Sequence, residues 1–189
     1  RNHYRIAWRT QVPLTGERTL TPSIIPPGSA HVDGLYSASS PQHHEDDLVL
    51  VSGTLSSLLV DFYTRSRGFS HVRSSAANSL PTVSPASPLA LRVRYRTLRL
   101  NCLTDAYAHL WTEFWDESFL TDTPILERYG ERPIGPEWSA DTPLRRAEDR
   151  RNAQAEIDVM VAIMLGVPIE DLCTIYRTQF AVLYDYDHG

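Results

Sequence analysis

The sequence predicts an α+β fold, with a mixed sheet and packed helices in the first half and a mainly helical second half. Three observations carry this expectation. Two short runs rich in β-branched and aromatic residues lie within the first 25 positions, apolar residues recur at helical spacing from Leu55, and longer helical repeats fill the chain after residue 88. With 189 residues, 42% of them hydrophobic and 22% charged, the chain can bury a core and is not disordered by composition.

Tyr4-Arg5-Ile6-Ala7-Trp8-Arg9 reads as a first strand, and residues 19–25 as a second that stops at Pro26-Pro27. Pro13-Leu14-Thr15-Gly16 supplies the turn between them. Residues 31–36 form a third short strand and residues 37–47 a polar loop. Leu48-Val49-Leu50-Val51 then leads into a helix over 54–67, in which Leu55, Leu58, Leu59 and Phe62 share a face and Gly68 supplies the stop. The Pro-rich stretch 81–88 reads as a hinge or surface crossing, which divides the chain into an α+β part, 1–88, and a helical extension packing on it, 89–189.

From Leu89 to Leu100 alternation and helical spacing compete. A helix is favoured because Tyr107, Leu110, Trp111, Phe114 and Trp115 continue the pattern too far for a strand, and that aromatic stripe reads as core. Residues 121–141 are broken by proline and glycine. Thr142-Pro143 then looks like a helix start, Gly166 like its end, and Pro168 like the start of the next helix, which carries Ile169, Leu172, Ile175 and Tyr176. The acids Glu170 and Asp171 at the start of that helix favour packing over DNA reading.

All eighteen basic residues are arginine, so lysine-dependent chemistry, including P-loop phosphate binding and Schiff-base catalysis, is excluded. The net charge of −5 conceals an uneven spread: residues 1–100 hold 11 Arg against 6 acids, and the remainder 7 Arg against 17 acids. Such a split is expected when the first half faces a polyanion and the second faces protein or solvent. Cys102 and Cys173 stand far apart and read as buried thiols rather than a disulfide or zinc framework. No run approaches the apolar length of a membrane helix and the first residues do not resemble a signal peptide, so a cytoplasmic protein with no membrane partner is expected.

Several segments follow one another in a particular order: Arg5-Ile6-Ala7-Trp8-Arg9, Glu17-Arg18-Thr19-Leu20 running to Ile24-Ile25-Pro26, Leu55-Ser56-Ser57-Leu58-Leu59-Val60-Asp61-Phe62, and Leu80-Pro81. In the later part come Leu98-Arg99-Leu100-Asn101-Cys102-Leu103-Thr104 with Tyr107-Ala108 and Leu110-Trp111, then Ala155-Glu156-Ile157-Asp158 through Leu165-Gly166 to Ile175-Tyr176-Arg177-Thr178-Gln179-Phe180. That order resembles the C-terminal target recognition region of large adenine-specific DNA methyltransferases of the single-chain restriction-modification or phage-defence type. The resemblance implies a DNA specificity region. The Asn-Pro-Pro-Tyr loop that holds a flipped adenine and a glycine-rich turn for S-adenosylmethionine are both absent. A non-catalytic piece without cofactor is therefore expected, bounded at both ends within a longer chain. S-adenosylmethionine and methyl transfer would belong to the missing catalytic domain of that chain, and double-stranded DNA would be the partner.

Arg65, Arg67, Arg73, Arg92, Arg94, Arg96 and Arg99 are the candidates for phosphate contact, and Gln42, His43 and His44 for base edges. Clustered cations repel unless something anionic lies opposite, and Asp61, Glu156 and Asp158 are the internal candidates for that role. His43-His44-Glu45-Asp46-Asp47 lacks metal-ligand spacing and reads as a solvated loop rather than a metal site. Two other functions stay open: a protein interaction module of a defence complex, and a metal-dependent nuclease using Asp, Glu and His.

Overall fold

The chain is an α+β protein, and its computed structural model describes residues 2–13, 15–39, 45–122 and 134–188. Strand β1 (Arg5–Arg9) is central in a three-stranded sheet, with β2 (Ser23–Ile25) on one side and β3 (Leu35–Ala38) on the other. Ile6 lies opposite Ile24 and Ala38, and Trp8 opposite Tyr36. Both pairings are antiparallel, so the sheet is not mixed: the links between consecutive strands hold no crossover helix, which parallel pairing needs. β2 is shorter than the run 19–25 because the Thr19 amide donates to Asp61 Oδ2 at 2.6 Å and draws residues 19–22 out of the ladder. β3 begins later than His31, after Gly34, whose φ of +111° turns the chain into the sheet.

Two helices, α1 (Glu45–Leu55) and α2 (Leu58–Ser66), stand where one was expected over 54–67, and α1 reaches back into the stretch read as loop. The break has a local cause. Ser57 is extended (ψ 151°), and its hydroxyl donates to Thr54 O while accepting from the Val60 amide, so it ends one helix and caps the next. Beyond the short α3 (Ser74–Ala77), α4 (Ala90–Asn101) realises the helical choice for 89–100. The helical run does not continue unbroken, because Thr104 is extended. A 3₁₀ turn (Asp105–Tyr107), α5 (Ala108–Glu113) and a second 3₁₀ turn (Glu117–Thr121) follow.

The second half adds α6 (Ala147–Met164), α7 (Ile169–Gln179) and α8 (Ala181–His188). Thr142 does not start α6. It is buried and its Oγ1 accepts the Ser139 amide at 2.8 Å to close a turn, while Leu144 N donates to Arg99 O at 2.9 Å. Gly166 (φ +71°) ends α6 as expected, with its amide on Ile163 O and that of Val167 on Ala162 O, satisfying two terminal carbonyls.

The largest buried cluster takes residues from both sides of the Pro-rich crossing, among them Ile6, Trp8, Ile24, Tyr95, Leu98 and Trp111. The aromatic stripe belongs to this core: Tyr95 stacks on Phe119 at 4.3 Å between centroids, and Phe119 meets the edge of Trp115. α4 is the central helix, buried on most sides, with α1 and α6 packed against it. Gly53 permits the α1 contact, since a Cβ there would lie 2.2 Å from Thr97 Oγ1 and 2.8 Å from Val93 Cγ1. Gly53→Ala should therefore destabilise the fold by about 1–3 kcal/mol despite alanine's better helix propensity. In urea unfolding, Thr97→Ala placed in the same chain should recover part of that loss. Two additive losses would show that the close approach is not the cause.

Candidate nucleic-acid interface

The arginines proposed for phosphate contact fall into two groups once the helices are packed. Arg96 and Arg99 are 2% and 1% exposed, so a duplex cannot reach them. From Tyr95 to Arg99 every residue of α4 is buried, so these two arginines face protein, while Arg92 nearer its start does not. The Arg96 guanidinium grips Asp122 with two bonds, Nη1 to Oδ2 at 2.7 Å and Nη2 to Oδ1 at 3.2 Å, and its Nε donates to Glu156 of α6. Burial works against its charge, but the two carboxylates outweigh that and raise its pKa above the ordinary arginine value. Arg99 donates to Tyr95 Oη and lies over that ring.

Arg65 is also occupied. It pairs with Asp61 at 3.2 Å, donates to the carbonyls of Gly16, Glu17 and Gln179, and lies 4.1 Å over the Phe180 ring. Burial raises the Asp61 carboxyl above the usual range, against the opposing pull of the Thr19 amide and Arg65. Asp158 forks Arg18 through both oxygens and accepts the Leu58 amide at 2.8 Å. Asp61, Glu156 and Asp158 thus all pair inside the protein. Arg67, Arg73 and Arg92 are exposed and Arg94 is half-buried. Gln42, His43 and His44 lie outside the described residues.

The fold also brings together residues that the sequence keeps apart. Beyond β1 the chain continues alongside residues 70–72: Val12 N donates to Ser70 O, Val72 N to Thr10 O, and Gln11 stands opposite His71. Arg9 and Arg73 flank that bridge, each two residues away from it. Val12 and Val72 point into the core, and Trp8 Nε1 donates to Val72 O at 2.9 Å beneath them. By alternation Arg9, Gln11, His71 and Arg73 are exposed. Asp33, itself almost fully exposed, approaches Arg73 at 3.6 Å. Arg9, Gln11 and His71 were not among the candidates from sequence. The alternation from Trp8 to Val12 was visible, but its pairing with a segment some sixty positions later was not.

A scan against protein-family models, a search of curated proteins and a search of solved structures each found no match.

The division into interior and surface arginines has a measurable consequence. Arg96→Ala should strand two acids inside the protein and cost about 3–5 kcal/mol, whereas Arg92→Ala should change stability by less than about 0.5 kcal/mol. Chemical denaturation of the two variants separates these outcomes.

Proposed function

We propose that this chain is a non-catalytic recognition module for double-stranded DNA, the specificity part of an adenine-specific DNA methyltransferase of a restriction-modification or phage-defence system. The observation that carries the reading is the exposed ribbon of Arg9, Gln11, His71 and Arg73. Arg9 and Arg73 set two exposed cations at the ends of this bridge, and a phosphate would be favoured there over the loose, solvent-exposed contact of Arg73 with Asp33. Gln11 and His71 between them are side chains that can hydrogen-bond base edges. Arg67, exposed at the end of α2 just before this segment, would extend the same basic surface.

The methyltransferase context rests on the segment order described above, with S-adenosylmethionine and base flipping assigned to another part of the parent chain. In that context the helical half packs against the remainder of the enzyme. The apolar side chains it exposes, Ile163, Ile169, Val182 and Tyr186, support such a contact. The alternative of a protein interaction module rests on that surface alone.

Fluorescence anisotropy with a mixed-sequence duplex at about 50 and 200 mM salt tests the DNA reading. The expected result is binding that weakens steeply with salt. Arg9→Ala and Arg73→Ala should each lower the salt slope by about 1, with Arg92→Ala for comparison. Absence of binding at low salt, or binding indifferent to salt, would favour the interaction module.

A further inference from the structure

The link from β2 to β3 must cross the outer face of β1, because those two strands lie on opposite sides of it. Outward-pointing side chains fix its path. Ile6 and Trp8 are buried in the core, so by alternation Arg5 and Arg9 face out, and Ser37, opposite Ala7, faces out with them. Arg5 donates to Ser29 O and to Ser37 Oγ, and His31 Nε2 lies 2.9 Å from the same hydroxyl. The link therefore lies over the face that carries Arg9.

At its end the chain makes a tight turn over residues 32–35. Leu35 N donates to Val32 O at 3.3 Å, and Gly34 O accepts both the amide of Thr10 at 2.9 Å and its hydroxyl at 3.1 Å. The turn is thus bonded to the stretch that runs on from β1 into Gln11. Leu35 stands opposite Arg9, and Asp33 approaches Arg73. Val32, at the head of the turn, is 79% exposed, more than any other large apolar side chain among the described residues, and Leu35 is 38% exposed.

Polar residues dominate turns of this kind. An apolar side chain held out on a bonded turn beside two cations suits an anionic partner that also presents an apolar group. Duplex DNA presents one: the thymine 5-methyl group is the methyl that the four bases display in the major groove. Asp33 sharpens the assignment. Phosphate would repel an acid next to Val32, so the turn fits against the base edges while Arg9 and Arg73 take the backbone.

We propose that Val32, with Leu35 beside it, reads thymine through its 5-methyl group, so that the recognised sequence includes A·T pairs next to the Arg9 and Arg73 contacts. This rests on the DNA reading above and gives it a base preference.

Anisotropy of the whole chain at low salt, with a short duplex of alternating dA and dT and the same duplex carrying dU for dT, tests this, since the two differ only in the methyl groups. The wild-type chain should bind the dU duplex about fourfold more weakly for each contacted methyl, the worth of burying one such group. Val32→Ser, at a position too exposed to support the core, should bind the dT duplex no better than the dU duplex. Arg73→Ala should weaken both duplexes and keep the preference. Equal wild-type affinity for the two duplexes, or a thymine preference that persists in Val32→Ser, would overturn the proposal and leave the DNA reading standing. Failure to bind either duplex at low salt would overturn both.

Discussion

One carboxylate joins the parts of this protein. Asp158, on α6, receives the forked guanidinium of Arg18 and the first amide of α2, so a single side chain ties three segments that are far apart in sequence. Buried ion pairs gain little over an apolar contact of the same shape, because both charges must be taken out of water. Their value here is positional. Asp158 accepts an α2 amide that would otherwise lack a partner, and Arg18 brings the strand leading into β2 down onto the same helix, where Asp61 accepts the Thr19 amide. The sheet is thereby set against α2 and α6 by directional bonds as well as by hydrophobic contact.

The same arrangement accounts for much of the uneven charge along the chain. Arg18 and Arg96 belong to the basic half, yet each is matched by acids from the second half, Asp158 for one and Asp122 with Glu156 for the other. Part of the apparent electropositive half is therefore an internal matter. Among the described residues, the fully exposed arginines of this half are narrower in number: Arg9, Arg67, Arg73 and Arg92. Arginine serves both purposes because its planar fork can satisfy a carboxylate bidentately when buried and a phosphate when exposed.

Much of the fold was legible in local pattern. The alternation around Trp8, the helical spacing through α4 and the glycine stop at Gly166 each reflect bonding within a few residues. The misreadings involve side chains whose partners, near or far, the spacing alone does not reveal. Nothing near Ser57 signals that Asp158 will help to start a new helix there, and Thr142 looks like a cap until the Ser139 amide occupies it. The candidate interface was legible in part for the same reason. Arg73 was found as one cation among several, but Arg9 and Gln11 gain meaning only from the bridge to His71. Burial of Arg96 and Arg99 on α4 could not be read from their spacing, since arginine on a helix looks alike whether water or a buried acid lies beyond it.

The way the core is shared bears on how the chain can be made. Trp8 and Ile24 leave the ribosome before Tyr95, Leu98 and Trp111, which belong to the same cluster and lie some 70 to 100 residues further along the chain. Until they arrive, the nascent sheet has an uncovered apolar face and an Arg18 without Asp158. Contacts between residues so distant in sequence slow folding and lengthen the exposure of sticky intermediates. Synthesis of this protein thus passes through a long interval in which its first segments need either shelter by chaperones or tolerance of exposure before the central helix closes over them.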